Sequence, residues 1–192
     1  MGLRPGRCYR GHQRPYTRQS TRVPKKGYVK GVPKSKLTEF ELGTKADYDT
    51  RLYLISGLPV QIRHNALEAA RVSAVQTLEK GIIRGSTFFL KILVYPHQVL
   101  RENAMATGAG ADRFQSGMRQ SFGKPIGTAA IVDKGQKIIE VRINKNNMVT
   151  AKDALRRAAY KLPTPCKVFV ESVATKFDTV GKIGMDKQLK AA

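Results

Sequence analysis

Lysine and arginine dominate the reactive side chains of this sequence, and what they offer is anion binding. Residues 1–36 carry Arg4, Arg7, Arg10, Arg14, Arg18, Arg22, Lys25, Lys26, Lys30, Lys34 and Lys36 without a single Asp or Glu. On an extended chain, cations at this spacing follow a phosphate backbone, because each neutralised phosphate releases condensed counterions. Tyr9, Tyr16 and Tyr28 are interleaved with them, and aromatic rings stack on unpaired bases. Prolines at 5, 15, 24 and 33 and glycines at 2, 6, 11, 27 and 31 exclude a regular helix over this length. Residues 1–36 therefore read as an extended basic RNA-binding arm, disordered alone and ordered by its partner.

A second cationic stretch, residues 97–126, has no helical or strand periodicity and reads as one long functional loop. Arg101, Arg113, Arg119 and Lys124 supply phosphate or base-edge donors. Glycines at 108, 110, 117 and 123 allow a ligand to approach the backbone. Met105, Phe114, Met118 and Phe122 add apolar surface suited to packing on bases or on one another.

Catalytic chemistry is not supported. A metal-dependent nuclease wants paired carboxylates, but the acids are scattered and the loop holds only Glu102 and Asp112. There is no GxxxxGK[ST] phosphate loop, and Gly108-Ala109-Gly110 lacks both a third glycine and a strand immediately before it. His64 has no serine, cysteine or second histidine near it in sequence and reads as a hydrogen-bonding surface group. Cys8 and His12 offer two metal ligands with no second pair to complete a tetrahedral site. Cys8 and Cys166 are expected to be free thiols in a reducing, intracellular compartment. Neither cofactor nor metal is expected. The opening MGLRPGRCYRG has no apolar core of a secretory signal, and no apolar run approaches a membrane span.

Charge points the same way. Lys plus Arg number 35 against 14 acidic residues, a formal net charge of +21. Self-repulsion on that scale strains a compact monomer and calls for a polyanion. With 192 residues, the chain has room for one domain with extra segments.

The positioning elements follow from periodicity. Short strands are expected at Lys36–Gly43 and Arg51–Ser56, with a break at Gly57-Leu58-Pro59. A helix follows whose Leu67, Ala70, Ala74, Val75 and Leu78 share one face, with Arg63, His64 and Arg71 on the other side. Asn65 and Glu68 have capping-box spacing, though the helix is also free to start a turn earlier, after Pro59. Then come a buried strand in Ser86–Pro96, the loop, and a hairpin over Gly127–Asn144 turning at Asp133-Lys134-Gly135-Gln136. Thr150 and Asp153 suggest a capping box for a second helix, with Val149 as a hydrophobic staple. Its apolar face is Ala154, Leu155, Ala158, Ala159 and Leu162; Lys152, Arg156, Arg157 and Lys161 make a cationic one. A last strand starts at Cys166, and residues 176–192 form a polar tail. The order predicts a single α+β domain over residues 37–175, a sandwich of a mixed or antiparallel sheet with two helices.

Several motifs in order resemble one family. Ile62–Val72 (IRHNALEAARV), Val99–Asn103 (VLREN), Gly110–Arg113 (GADR), Gly117–Arg119 (GMR) and Phe122–Ala130 (FGKPIGTAA) are similar to the universal ribosomal protein L-sixteen family in its archaeal and eukaryotic L-ten-e form. Arg4–Gly11 (RPGRCYRG) and Ala154–Pro163 (ALRRAAYKLP) share the resemblance, which covers residues 2–175, and the length is of the archaeal type. The resemblance implies an α/β-hammerhead fold and a place in the cytoplasm on the large ribosomal subunit. It implies contacts with large-subunit rRNA near 5S rRNA, neighbouring ribosomal proteins and the A-site tRNA. Arg101, Asn103, Arg113, Met118 and Arg119 would lie nearest the peptidyl-transferase centre. The basic arm, Arg63, His64 and Arg71 would contact rRNA. The cationic Lys124, Arg156 and Arg157 join the expected rRNA-binding set. Two positions depart from the family pattern: Ile131 replaces a frequent basic residue and Gln98 a common histidine, and each puts one local RNA contact in question. The expected function is a structural, non-catalytic constituent of the large subunit. The alternative is a free-standing tRNA- or RNA-binding protein outside the ribosome.

Overall fold

The computed structural model describes residues 4–11, 29–82, 87–103, 105, 110, 117–119 and 121–172. Among these residues, eight strands and two helices run in the order β1 (Glu41–Gly43), β2 (Thr50–Ser56), β3 (Val60–Arg63), α1 (His64–Gly81), β4 (Phe89–Ile92), β5 (Gln98–Glu102), β6 (Lys124–Val132), β7 (Lys137–Ile143), α2 (Met148–Ala159) and β8 (Cys166–Ser172). They form an α+β fold with two sheets, both antiparallel throughout. One has five strands in the order β1-β4-β7-β2-β8 and the other three in the order β3-β6-β5.

The helices bury the stripes their periodicity predicts. Leu67, Ala70, Ala74 and Leu78 of α1 face inward, as do Ala151, Ala154, Leu155 and Ala158 of α2. The alanines let α1 and α2 pack on each other, α2 lies on the five-stranded sheet, and α1 reaches the three-stranded one. A single core results, joining Leu52, Leu54, Leu90, Ile139 and Val141 of the larger sheet to Ile62, Ala130 and Val132 of the smaller. That one core holds both sheets in fixed register to each other.

Several local expectations fail, each for a physical reason. Regular strand begins only at Glu41, because β4 offers partners only to Glu41–Gly43. Phe40 still accepts one bond from the Ile92 amide, at 2.8 Å. The break at Gly57–Pro59 is followed by β3 rather than directly by helix. Four strand residues running straight into α1 are too few to show a period of two. Neither predicted capping box forms. Arg63 precedes α1 with no side-chain cap, and the Asn65 side-chain oxygen is buried without a partner among the described residues. The second helix starts before Thr150, whose hydroxyl instead donates to the Gly81 carbonyl at 3.4 Å, and Val149 is 72% exposed, so no staple exists. The stretch 97–126 is strand at both ends, β5 and the start of β6.

The hairpin expected over Gly127–Asn144 is not one. The turn at Asp133–Gln136 is present, with Gly135 at φ +83°, but β6 belongs to the small sheet and β7 to the large one. The backbone bonds around it explain why. The Gly135 amide donates to the Ser56 carbonyl at 2.8 Å and the Ser56 amide to the Gln136 carbonyl at 3.0 Å. The turn is thus pinned to the end of β2, and the chain passes from one sheet to the other.

Candidate nucleic-acid interface

The arm, the first turn of α1 and the loop stems meet at the three-stranded sheet. Residues Gly6–Tyr9 form one 3-10 turn against β3. The Arg10 carbonyl accepts from the Gln61 amide at 3.2 Å, which adds one strand-like bond outside β3, and the Arg10 guanidinium donates to the Pro163 carbonyl. Arg63 holds this segment from below. Its Nη1 donates to the Arg4 carbonyl at 3.0 Å, and its guanidinium lies 5.4 Å from the Tyr9 ring centroid.

The far end of the segment is tied to the loop. Tyr9 Oη donates to Glu102 Oε2 at 2.9 Å, and Arg4 pairs with the other carboxylate oxygen. Glu102 is the last residue of β5, where the loop leaves the sheet. One acid among so many cations thus fastens arm to loop. Burial, then the hydrogen bond and charge of Glu102, push the Tyr9 hydroxyl up from 10.0 to about 12. A folded value above the unfolded one means this contribution is complete below about pH 10 and is lost as pH rises through about 12. The difference in tyrosinate absorbance between the protein and its Tyr9→Phe variant should therefore rise near pH 12. A rise near pH 10 would mean that the Tyr9–Glu102 pair is open in solution.

The loop stems are shaped by close packing. β5 and β6 pair through Gln98↔Ala129 to Glu102↔Lys124, with a register shift between Leu100 and Arg101. Arg101 lies flat on Phe122, 3.1 Å from the ring centroid, and its Nη1 reaches the Phe122 carbonyl at 3.4 Å. Asn103 Nδ2 donates to the Gly117 carbonyl at 3.4 Å, which draws the turn at 117–119 back to the stem. Met105, Met118, Arg119 and Phe122 are all exposed. Arg101 and Asn103, expected in the loop proper, are stem residues; Met118 and Arg119 lie beyond them in the turn.

His64 and Arg71 are committed inside the protein. His64 Nδ1 is 3.0 Å from Thr128 Oγ1, and a Cβ on Gly127 would come within 3.2 Å of the ring, so glycine lets the imidazole lie on β6. Burial, with Lys36 and Arg63 adding repulsion, lowers its pKa and favours the neutral ring. Arg71 makes a two-pronged pair with Glu68, at 2.9 and 2.5 Å, and reaches Glu39 at 3.3 Å. Its pKa is raised by the Glu68 hydrogen bond, and its guanidinium is engaged by two carboxylates of the chain itself, Glu68 and Glu39, which ties α1 to the segment before β1. Arg63 likewise serves first as the clamp on the arm.

Arg4, Arg7, Arg10, Lys30, Lys124, Arg156 and Arg157 are exposed. Arg14, Arg18, Arg22, Lys25, Lys26 and Arg113 lie outside the described residues, as does the tail 176–192. Gln98 and Ile131 prove to share a patch: Gln98 lies opposite Ala129 and Ile131 is two residues further along β6, on the same face. Sequence reasoning passed over Glu102 as one of two stray acids. Its signal was its isolation among cations.

Among the described residues no group of three or more His, Cys, Asp or Glu is placed to hold a metal, and no helix is long and apolar enough to cross a membrane. The arrangement offers cations, exposed aromatic and thioether surface, and a carboxylate latch. Those bind and position a polyanion.

Comparison with known proteins agrees. The family model described as ribosomal protein L16p/L10e matches residues 12–169. The large ribosomal subunit protein uL16 of Staphylothermus marinus is 52% identical over 170 residues, covering 88% of this chain and 93% of the relative. The protein of the same name from Sulfolobus acidocaldarius is 48% identical over 176 residues, covering 90% and 96%. That of Methanococcus maripaludis is 48% identical over 175 residues, covering 88% and 95%.

Proposed function

The chain belongs to the ribosomal protein L16p/L10e family and is a structural, non-enzymatic constituent of the large ribosomal subunit, and from that premise we propose how its parts divide the work. The arm, with Arg4, Arg7, Arg10, Arg14, Arg18, Arg22, Lys25, Lys26 and Lys30, anchors the protein to large-subunit rRNA near 5S rRNA. Lys124, Arg156 and Arg157 extend that contact. The loop, with Arg101, Asn103, Arg113, Met118 and Arg119, reaches toward the A-site tRNA and helps shape its path near the peptidyl-transferase centre.

The observation that carries this division is the junction at Glu102. Arg4 and Tyr9 of the arm close on the residue from which the loop departs. Fixing the arm on a large RNA thereby fixes where the loop starts, and positioning is how a non-catalytic group near a reaction centre contributes.

Large subunits washed in high salt and isolated on a sucrose gradient supply the test. With a photoreactive tRNA in the A site, crosslinks should map to peptides within residues 101–119. Crosslinks to neighbouring proteins and none to this segment would overturn the loop's role while leaving the protein a subunit constituent.

A further inference from the structure

The face of the molecule around β8 is unfinished. Val168 pairs across the sheet with Leu54, and Val170 with Leu52. Both leucines are fully buried, whereas Val168 is 37% and Val170 36% exposed. The four point to the same side of the sheet, so the helix layer covers β8 only in part. On its other edge β8 has no paired strand among the described residues. An open groove of about 700 Å³ lies between α2 and β8, closed at one end by Thr164–Cys166. That size is within the range of small-molecule sites.

The groove's wall differs chemically from its floor. Lys152, Arg156 and Tyr160 recur every four residues along the outer side of α2, so they stack on one helical face. Arg156 Nε donates to Tyr160 Oη at 3.2 Å and holds a ring that is 72% exposed. Among the described residues Asp153 is the one acid lining the groove. An apolar floor under a cationic wall with a tethered aromatic asks for an occupant that is flat, apolar on its faces and negatively charged. An unpaired nucleotide is all three. A duplex fits poorly, because its bases are stacked on one another.

We infer that the groove between α2 and β8 binds an unpaired nucleotide of large-subunit rRNA, its base against Tyr160 and Val168 and its phosphate at Lys152 and Arg156. This rests on the reading that the protein is seated on rRNA. It adds a stacking site on an element separate from the arm and the loop.

Stacking and charge separate in a binding experiment, because only charge contributes to the salt slope. The full chain, with large-subunit rRNA as the probe, should bind about five- to 150-fold more weakly as Tyr160→Ala at fixed salt, with the slope unchanged. Tyr160→Phe keeps the ring and should bind within about twofold of the parent. Lys152→Ala should lower the slope by about one. An exposed residue beyond the helix end is not expected to be needed for folding, and coincident thermal unfolding curves would verify that. Ultraviolet irradiation of native large subunits should in addition leave a nucleotide adduct on the peptides spanning 158–172. If Tyr160→Ala binds like the parent while an arm deletion does not, the groove proposal falls and the rRNA reading stands. If neither change matters, the groove proposal falls and so does the arm's part as the anchor. A crosslink from Lys152 to a neighbouring protein, with no nucleotide adduct, would overturn the proposal in favour of a protein strand lying along β8.

Discussion

Deleting residues 1–36 should flatten the dependence of log affinity on log salt by several units when the isolated protein binds large-subunit rRNA. Each neutralised phosphate contributes a slope of about −0.7 to −0.9. The segment holds a cation at every third or fourth position from Arg4 to Arg22, with more from Lys25 to Lys36 and no acid among them. With even half of these engaged, the parent should lose orders of magnitude in affinity between about 50 mM and about 200 mM salt, so the deletion should cost most at the lower salt. The deletion also removes Tyr9 and Arg4 from Glu102, so Tyr9→Phe in the full-length chain is the necessary comparison. It removes the Tyr9 hydrogen bond to Glu102, leaves the Arg4–Glu102 pair and keeps the charges, and its slope should match the parent's. An arm deletion with an unchanged slope would show that the electrostatic anchor lies elsewhere.

Gly123→Ala should be the most damaging single change at the loop. Gly123 has φ +76°, and a Cβ there would come within 2.5 to 2.7 Å of the Glu102 and Asn103 backbone. Neither obstacle is a side chain that can rotate away. The left-handed conformation alone costs about 1–3 kcal/mol for a residue other than glycine, and the clash adds the cost of parting β5 from β6. Gly135 separates the two contributions. It has φ +83° and nothing within 4 Å of its notional Cβ, so Gly135→Ala bears only the conformational cost. In thermal unfolding Gly135→Ala should lower the midpoint by several degrees, and Gly123→Ala by distinctly more. Equal losses would mean that the stem yields freely, and the close packing at Glu102 would lose its significance.

Helical faces were the most legible part of the sequence. Leu67, Ala70, Ala74 and Leu78 are buried as their spacing indicates, and Ala154, Leu155 and Ala158 likewise, because a period of 3.6 sustained over several turns has few competing explanations. Helix ends were not legible. Thr150 and Asp153 have capping-box spacing, but Thr150 found a better acceptor in Gly81 across the helix pair, and tertiary contact overrode the local signal. Two strands were missed: β3 runs straight into α1, and β5 lies at the start of a stretch without periodicity. Which sheet a strand joins was not legible at all: the turn before Lys137 looks like any hairpin until Ser56 takes its hydrogen bonds. For the candidate interface, the cations were evident, as was their sign. Their commitments were not: Arg71 serves Glu68, Arg63 serves the arm, and Glu102, an acid, organises the cations around it.

The strand order of the larger sheet bears on how the chain reaches its native state. β2 is made early, yet its neighbours on both sides, β7 and β8, are among the last elements synthesised. Thr50 pairs with Ile143 on one side and Ser172 on the other. Contacts so distant along the chain require loop closure before they return any stabilisation, which places the fold among the slower-forming topologies. A nascent chain stopped before Cys166 would have β2 paired on one side only, its other edge open to whatever strand it met. The five strands of the larger sheet are therefore all present only once Ser172 has been made, and β8, the last strand among the described residues, is the one that covers the free edge of β2.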